Sequence, residues 1–571
     1  MTTMLAKPDE RTSEGSGGRQ WHVLPTPSLD GFEGAPWPPL VSVLLRLREV
    51  HGLAEAHDYL GAPGELTDPT LMPNLDIAVG RLAQACVAQE RVAILGDFDV
   101  DGVTSTTILT EGLSALGATP LPYIPDRFTE GYGPNVEAIK RLHARGASVL
   151  VTADCGTSAV REVAAANELG MDVIVIDHHT VPDELPDALA LVNPKLTSSE
   201  YGSEPAAVGV AYKVVHDLYD RLGRDYDPDE HRALVALGTV CDLAPMRAEN
   251  RDLVRLGLGA LARTRRPGLR ALAEVAGVEL ADVDPDMCGW VLGPRLNAAG
   301  RMEHARLSLE LLLSTKDNEA RQLAEHIETL NERRRAETAA AYELADSLLT
   351  PEQRTAPLVM VASPDISSGI VGLVAARLAE HLRRPAIAMQ IEGGEARASC
   401  RSIDGFDIHG LLHRNRHLFK RFGGHRAAAG FTIDAARLPE VRATLLDDAA
   451  RHLDPANLVP TIDIDAELPL HEVNSDLLTW LSRLGPHGIG NAAPVFMSSN
   501  VTVMDSRTVG KDGSHLQFRL KEGRVTWRAI AFGNAAHAVP DGERADIVYM
   551  FRRDGMRGTL QLEVLDLRPA M

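Results

Sequence analysis

Four groups of acidic and histidine side chains stand where chemistry with divalent cations would need them. Asp97, Asp99 and Asp101 lie in GDFDVDG (96–102), directly after the apolar run VAIL. Asp154 follows VLVTA, the Asp177-His178-His179 run follows VIVI, and Asp242 sits in ALGTVCDLAP (236–245). Three of these groups end runs with strand character; the run before Asp242 is more helix-like. Carboxylates at neighbouring strand tips converge on one crevice, where they repel unless cations lie between them. Aspartate and histidine without clustered cysteine suit Mn²⁺ or Mg²⁺ better than structural zinc. Two such cations about 3.5–4 Å apart activate a water and stabilise both oxygens of an in-line phosphoryl displacement.

Simpler readings account for less. DFDVDG opens like an EF-hand, but its twelfth position is Ile108, where a bidentate glutamate is required. A solvated Asp-rich turn would explain one group and leave the other three. Asp177 orients a histidine ring or plays a structural part. His179 is a candidate for supporting the cations or for moving a proton to the leaving oxygen.

The elements that must hold these groups alternate. Strand-like runs at 91–96, 120–124, 148–152 and 171–176 are separated by helical stretches at 104–116, 135–144 and 158–169. This predicts βαβ units on a parallel sheet, with ligands at the strands' C-terminal ends. The stretch 316–349 has no Pro or Gly and spaces Leu323, Ile327, Leu330, Leu344 and Leu348 helically, with Arg333-Arg334-Arg335 at its centre. It reads as a helix connecting two lobes. A second α/β unit follows, with strands at 357–362 and 385–389 around a helix at 369–381. From residue 461 the chain reads as short strands with Gly and Asp turns, suiting a small barrel.

At 571 residues the chain has room for three to four domains, and its composition is ordinary for globular proteins. The formal charge of −21 argues against a broadly basic coat protein for nucleic acid, although the field along one groove decides substrate binding. That groove has candidate walls. Arg401, Arg414, Arg416, Lys420, Arg421 and Arg426 outweigh Asp404 and Asp407 within 401–430, and 501–530 is also net basic through residues that include Lys511. Phe406, Phe419, Phe422, Phe518 and Trp527 lie in these stretches; most are expected to be core, and the net charge is the better signal. No apolar run is long enough for a membrane helix, and no signal peptide is visible. The five scattered cysteines fit a reduced, cytoplasmic compartment.

The motif set resembles the DHH phosphoesterases, and within them the RecJ-type single-strand-specific exonucleases. GDFDVDG, Asp154-Cys155-Gly156, Asp177-His178-His179 and GTVCDLAP carry the first resemblance. The segments at 66–82, EGYGPN (130–135), GPRLNAAGR (293–301), LNERRR (330–335), GGHRAAAG (423–430) and HGIGNAAPVF (487–496) carry the second. Together they cover roughly residues 45 to 570 in the family's order. The resemblance implies an α/β protein. Its parts are a parallel-sheet DHH catalytic domain over 41–305, a connector helix over 306–352, a DHHA1-type α/β domain over 353–455 and an OB-fold over 456–571; ahead of them, the polar composition of the first residues, rich in Ser, Gly and Thr, predicts a disordered segment over 1–40.

It further implies a 5′→3′ exonuclease that frees 5′-mononucleotides from single-stranded DNA with two Mn²⁺ or Mg²⁺ ions. Asp99, Asp101, Asp154, His178 and Asp242 fall on the metal-ligand positions, with Asp97 a ligand or close neighbour and Asp154 bridging. Arg301, Ser399 and Arg401 fall on the pocket for the terminal 5′ phosphate; Arg295, Asn297 and His425 are further substrate candidates. By the same resemblance the protein works as a monomer in recombination and repair, beside a RecQ-type helicase and a single-strand-binding protein. The chain ends soon after the barrel, so no extra C-terminal partner domain is expected. Two positions depart from the family: Cys400 replaces a usual glycine, and SPDISSG (363–369) lacks a usual Trp-His pair. One rival is a DHH phosphoesterase acting on short oligonucleotides or nucleotide phosphates, which the predicted barrel argues against. Another is an inactive nucleic-acid scaffold, which the full set of motif carboxylates and histidines argues against.

Overall fold

A computed structural model of the chain describes residues 11–15, 18–510, 513–553 and 559–570; Lys511 lies outside the described residues. The catalytic domain is built on a five-stranded parallel sheet. Its spatial order is Thr119–Tyr123, Arg91–Gly96, Val149–Ala153, Asp172–Ile176 and Ala190–Val192. Alternate residues of the strand Arg91–Gly96 feed opposite faces. Val92 and Ile94 join the core beneath helices Leu75–Ala88, Val100–Ala115 and Ala207–Arg221, while Ala93 and Leu95 join the core beneath Val136–Ala144 and Val160–Glu168. Burial on both faces is why these strands read as continuous apolar runs. The chain leaves Arg91–Gly96 toward one edge strand and returns on its other side at Val149–Ala153. That reversal opens a crevice at the strands' carboxyl ends.

The connector is a single helix, Asp317–Ser347, of 31 residues and so about 46 Å long. Ala320, Ala324, Ile327 and Leu330 at one end belong to the catalytic core, and Ala341, Tyr342 and Ala345 at the other pack into the second domain. That domain's sheet runs Arg421–Gly424, Ala428–Asp434, Glu395–Arg401, Ala386–Glu392 and Val359–Ser363; only the last pair is parallel. The C-terminal barrel closes where Phe496–Val509 pairs with Arg544–Arg553.

Two expectations need correction. Residues 1–40 do not form a disordered segment where they are described: Gln20–Val23 is a strand between Arg11–Glu14 and Thr461–Ile464. Trp21 is 0% exposed, donates to Asp566 at 2.9 Å and lies under the Arg568 guanidinium. The polar composition hid one anchoring side chain. The catalytic domain also does not begin at 41, because Phe32, Trp37, Val41, Leu44 and Leu60 share the barrel's core. The chain thus starts on the barrel, builds the catalytic lobe and returns. Arg251 fastens this return, donating to the carbonyls of Tyr59, Arg483 and Gly485 at 2.8–2.9 Å. No helix among the described residues is long and apolar enough to cross a membrane.

Replacing Trp21 with Ala is expected to cost about 3–5 kcal/mol of docking free energy for the N-terminal strand. Trypsin should then cut at Arg19 in the variant while the wild-type chain resists; equal resistance would refute the anchoring role.

Candidate active site

The first motif is shaped by its glycines. A Cβ on Gly102 would strike the Asp97 backbone, so only glycine lets the helix Val100–Ala115 start this close to the strand end. Asp99 caps that helix, accepting from the Gly102 amide at 3.2 Å. The helix starts four residues before the expected 104, which puts Asp101 in its first turn. Both Asp101 oxygens accept backbone amides, from Ala207 and Val208 at 2.8 Å each. Asp154 ends the neighbouring strand at φ +64°, a left-handed conformation tolerated by Asp, and Gly156 follows at φ +112° against Thr152.

These ends meet. Ligand atoms of Asp97, Asp99 and Asp154 lie within 4.8 Å of one another, as do those of Asp101, His178 and Asp242, and those of Asp154, His178 and His179. His178 Nε2 stands 3.3 Å from Asp154 and 3.8 Å from Asp101, and its Nδ1 is 3.7 Å from Asp242. Burial first, and then the neighbouring carboxylates, push Asp97 and Asp154 well above the usual carboxylate range. The same causes raise Asp101 to about 7 and Asp242 to about 9. Burial, helped by His179, lowers His178 to about 3.

Three buried atoms here have no hydrogen-bond partner: Asp97 Oδ1, Asp154 Oδ1 and His178 Nε2. Hard oxygen donors with one neutral imidazole, crowded and unpartnered, fit two divalent cations of the Mn²⁺ or Mg²⁺ kind. Cations would restore the ionised carboxylates that crowding disfavours.

Asp177 is different. Its Oδ2 accepts the Thr157 amide at 2.9 Å; its Oδ1 accepts the His178 amide at 2.8 Å and pairs with His179 Nδ1 at 2.7 Å. Burial opposes its ionisation, but the hydrogen bond and charge of His179 hold Asp177 well below the ordinary carboxylate range. It therefore positions a histidine, and that histidine is His179. His179 Nε2 faces the Tyr132 hydroxyl at 3.3 Å, and the ring stacks on His425 of the second domain with centroids 5.7 Å apart. His425 reaches across because Gly424, at φ +131°, turns its hairpin where a Cβ would strike the Ala428–Ala429 backbone.

Beside the carboxylates lies a group of guanidinium ions. Arg127 lies 3.8 Å from the Phe98 ring centroid and feels the charges of Asp97 and Asp99. Arg301 is pushed down to about 9 by burial and then by Arg127, Arg334 and Arg401. Arg401 donates to Ser399 Oγ at 3.0 Å. Gly369 and Gly372, at the start of helix Val371–Leu382, leave room for Arg301 and for the Ser399–Arg401 pair; a Cβ on Gly372 would sit 3.0 Å from Arg401. Mutually repelling cations beside a helix N-terminus make a site for an anion. Cys400 does not disturb it: strand alternation turns its thiol into the hydrophobic core on the other face.

Not every expected residue gathers here. Arg295 is spent on Glu328 of the connector at 2.5 Å and on the Val291 carbonyl, because two residues along a helix is nearly half a turn from Asn297. Asn297 shares the Arg301 face and is half-buried. In the basic stretch 401–430, Arg414 pairs with Asp448, and Lys420 with Glu395 and Asp434. Phe406 and Phe518 are core. Sequence pattern gives no sign of Arg127, which stands in the turn four residues past the end of strand Thr119–Tyr123, just before EGYGPN. Tyr132 lies inside EGYGPN, a segment whose pattern alone assigns it no role.

The comparisons agree with this layout. The DHH family N-terminal domain model matches residues 91–239, the DHHA1 domain 356–451 and the RecJ OB domain 464–566. The single-stranded-DNA-specific exonuclease RecJ of Bacillus subtilis is 36% identical over 516 residues, spanning 89% of this chain and 65% of that protein. The chain thus covers a little under two thirds of that relative's length. The RecJ of Haemophilus influenzae is 32% identical over 92% of this chain and 95% of its own. The crystal structure of RecJ in complex with Mn²⁺ from Thermus thermophilus superposes with a TM-score of 0.83 at 30% identity, over 96% of this chain and 80% of that one. On this evidence, of fold, domain order and similarity over about nine tenths of its length, the chain belongs to the RecJ family of the DHH phosphoesterases.

Proposed function

We propose that this chain is a 5′→3′ exonuclease that degrades single-stranded DNA to 5′-mononucleotides, with Mn²⁺ or Mg²⁺ held by its carboxylate cluster. One observation carries the reading: a half-buried group of guanidinium ions adjoins a carboxylate cluster suited to divalent cations, with Arg127 beside both. An anion site beside a hydrolytic centre fits a substrate with a terminal phosphate one step from the bond to be cut. Asp97, Asp99 and Asp154 would hold one ion and Asp101, His178 and Asp242 the other, with Asp154 between them. When bound, the pair supplies an activated water and charge stabilisation for both oxygens of the displacement.

The chain's own residues do the rest. Arg301, Ser399 and Arg401 grip the terminal 5′ phosphate, which sets polarity. Asp177 fixes His179 through Nδ1, leaving Nε2 to manage a proton at the leaving oxygen alongside Tyr132. His425, stacked on His179, closes the second domain over the site, so an unpaired strand enters and a duplex is excluded. Recombination and repair in the cytoplasm, as a monomer beside a RecQ-type helicase and a single-strand-binding protein, completes the proposal. The relatives named as single-stranded-DNA-specific exonucleases support the exonuclease part of the proposal.

With Mn²⁺ and a 5′-phosphorylated strand labelled at either end, mononucleotides should appear first from the 5′ end while blunt duplex survives. Turnover confined to the shortest oligomers would favour a small-substrate phosphoesterase instead. Chelation by EDTA should abolish the activity and added Mn²⁺ restore it. Asp154→Ala is expected to lower the rate at least about a thousandfold while strand binding persists, whereas loss of both would mark a folding defect. Arg401→Ala should erase the preference for a 5′ phosphate over a 5′ hydroxyl, worth about tenfold or more by the strength of a charge-assisted hydrogen bond; an undiminished preference would remove Arg401 from the pocket.

A further inference from the structure

Most of the metal-site residues are held by the elements that carry them. Asp97, Asp154 and His178 follow sheet strands, Asp99 caps a helix and Asp101 is clamped by two amides. Asp242 has no such support. It follows the last turn of helix Asp229–Cys241, and its carboxylate approaches His178 Nδ1 only to 3.7 Å, too far for a hydrogen bond. Its backbone therefore decides where it points, and that backbone is strained. Leu243, directly after it, sits at φ +61°, and Ala248, which opens helix Ala248–Leu261, sits at φ +45°. Neither is a residue that favours the left-handed region. Such conformations persist only where the surrounding structure over-determines them.

The support comes from two sides. Within the catalytic lobe, the buried Asn250 side-chain amide donates to the carbonyls of Pro245 at 3.0 Å and Glu204 at 2.8 Å. From the barrel side, the turn Gly488–Asn491 docks on the rest of the loop. The Ile489 carbonyl accepts the Met246 amide at 2.6 Å, and the Gly490 carbonyl accepts Arg247 Nε at 2.6 Å. Glycines permit this approach. A Cβ on Gly488 would lie 3.3 Å from the buried Met246 side chain, and one on Gly490, at φ +77°, would lie 3.0 Å from Arg247 Nε. The turn is itself braced. Gly488 and Asn491 exchange both backbone hydrogen bonds, while the Asn491 side chain donates to the carbonyls of Leu484 and Pro486 and accepts from Arg48. A chain of short contacts thus runs from Leu484, in the barrel's core, to within four residues of a metal ligand.

We propose that this turn of the barrel, together with Arg247, positions Asp242 and so sets the affinity of the ion that Asp101, His178 and Asp242 would share. The ion at Asp97, Asp99 and Asp154 lacks this dependence, because strand ends and the cap of helix Val100–Ala115 hold those ligands. The barrel then helps to build the metal centre, apart from any part it plays in holding a strand. Groups that orient a ligand without touching the metal change its affinity by about 10–100-fold. Arg247 and Gly488 act in this way, through the loop, as positioning residues. The inference rests on the two-ion reading of the carboxylate cluster.

The test titrates Mn²⁺ into the metal-free full chain and follows the free ion by electron paramagnetic resonance, with no substrate present. Wild-type protein should bind two ions, and Asp242→Ala should weaken one of the two steps, which assigns that step to the Asp242 site. R247A and G488V should weaken the same step about tenfold and leave the other unchanged. R247K, which keeps a donor for the Gly490 carbonyl, should retain most of the affinity. The Arg247 side chain is 57% exposed, so R247A should fold as the wild type does; if G488V does not, R247A alone decides. Unchanged binding of both ions in R247A would overturn the proposal. Equal weakening of both steps would overturn it too, since that marks a general loss of structure. A wild-type chain that binds fewer than two Mn²⁺ would overturn the two-ion reading and the proposal with it.

Discussion

Carboxylate crowding at the switch point of the parallel sheet sets the terms for the rest of the molecule. Like charges in a low-dielectric crevice repel, and burial adds its own penalty to each ionised group. A fold that brings Asp97, Asp99, Asp101, Asp154 and Asp242 together must therefore over-determine their positions. The means are visible. Asp101 is clamped by two amides at the start of a neighbouring helix, Asp99 doubles as a helix cap, and Asp154 accepts a left-handed backbone that few residues tolerate. Asp177 stays ionised, because amides and His179 surround it, and so serves as a fixed brace rather than a ligand. Cations that bind only the folded arrangement would offset the repulsion and stabilise the domain in proportion to their affinity.

The guanidinium group poses the opposite problem, and the architecture places the two side by side. Arg127 and Arg301 come from the catalytic lobe, Arg334 from the connector and Arg401 from the second domain. Like-signed guanidinium ions repel one another wherever they gather, so the surrounding structure must hold the set in place. Dividing it between lobes lets the 31-residue helix fix the spacing, since each of its ends is buried in a different core. The His179–His425 stack then ties the second domain to the metal side of the cleft.

Legibility in the sequence followed burial. Strands covered on both faces read as apolar runs, and Arg91–Gly96 was found at its observed limits. Most of the metal-site carboxylates were legible because they follow such runs, whereas Asp242 caps the C-terminus of helix Asp229–Cys241. The start of helix Val100–Ala115 was not, because aspartates and glycine in its first turn mimic a loop, although they serve as cap and ligands. The N-terminal strand was missed since its order depends on a single tryptophan docking 545 residues away in sequence, which no local pattern records. Arg295 was misplaced for a related reason: a motif gives residue types, but the face of a helix is decided by what packs against it, here Glu328. Arg127 carries no motif signature of its own, and only the sheet order reveals that its loop ends beside the first aspartates.

The net charge of −21 then acquires a use. A net acidic exterior repels a polyanion from many approaches, and field lines concentrate where like-signed guanidinium ions sit in a low-dielectric cleft. For a polymer substrate this separates ends from interiors. A terminal phosphate carries extra charge and can enter a pocket that a continuous backbone cannot bend into, so attraction at the pocket and repulsion elsewhere both favour a free end. On this view the acidity is part of the specificity, and a more basic surface would gain affinity for internal DNA while losing preference for the terminus. Because exposed charges are screened within about 8 Å at physiological salt while buried ones are screened far less, rising ionic strength should weaken the long-range repulsion before it weakens the grip of the pocket.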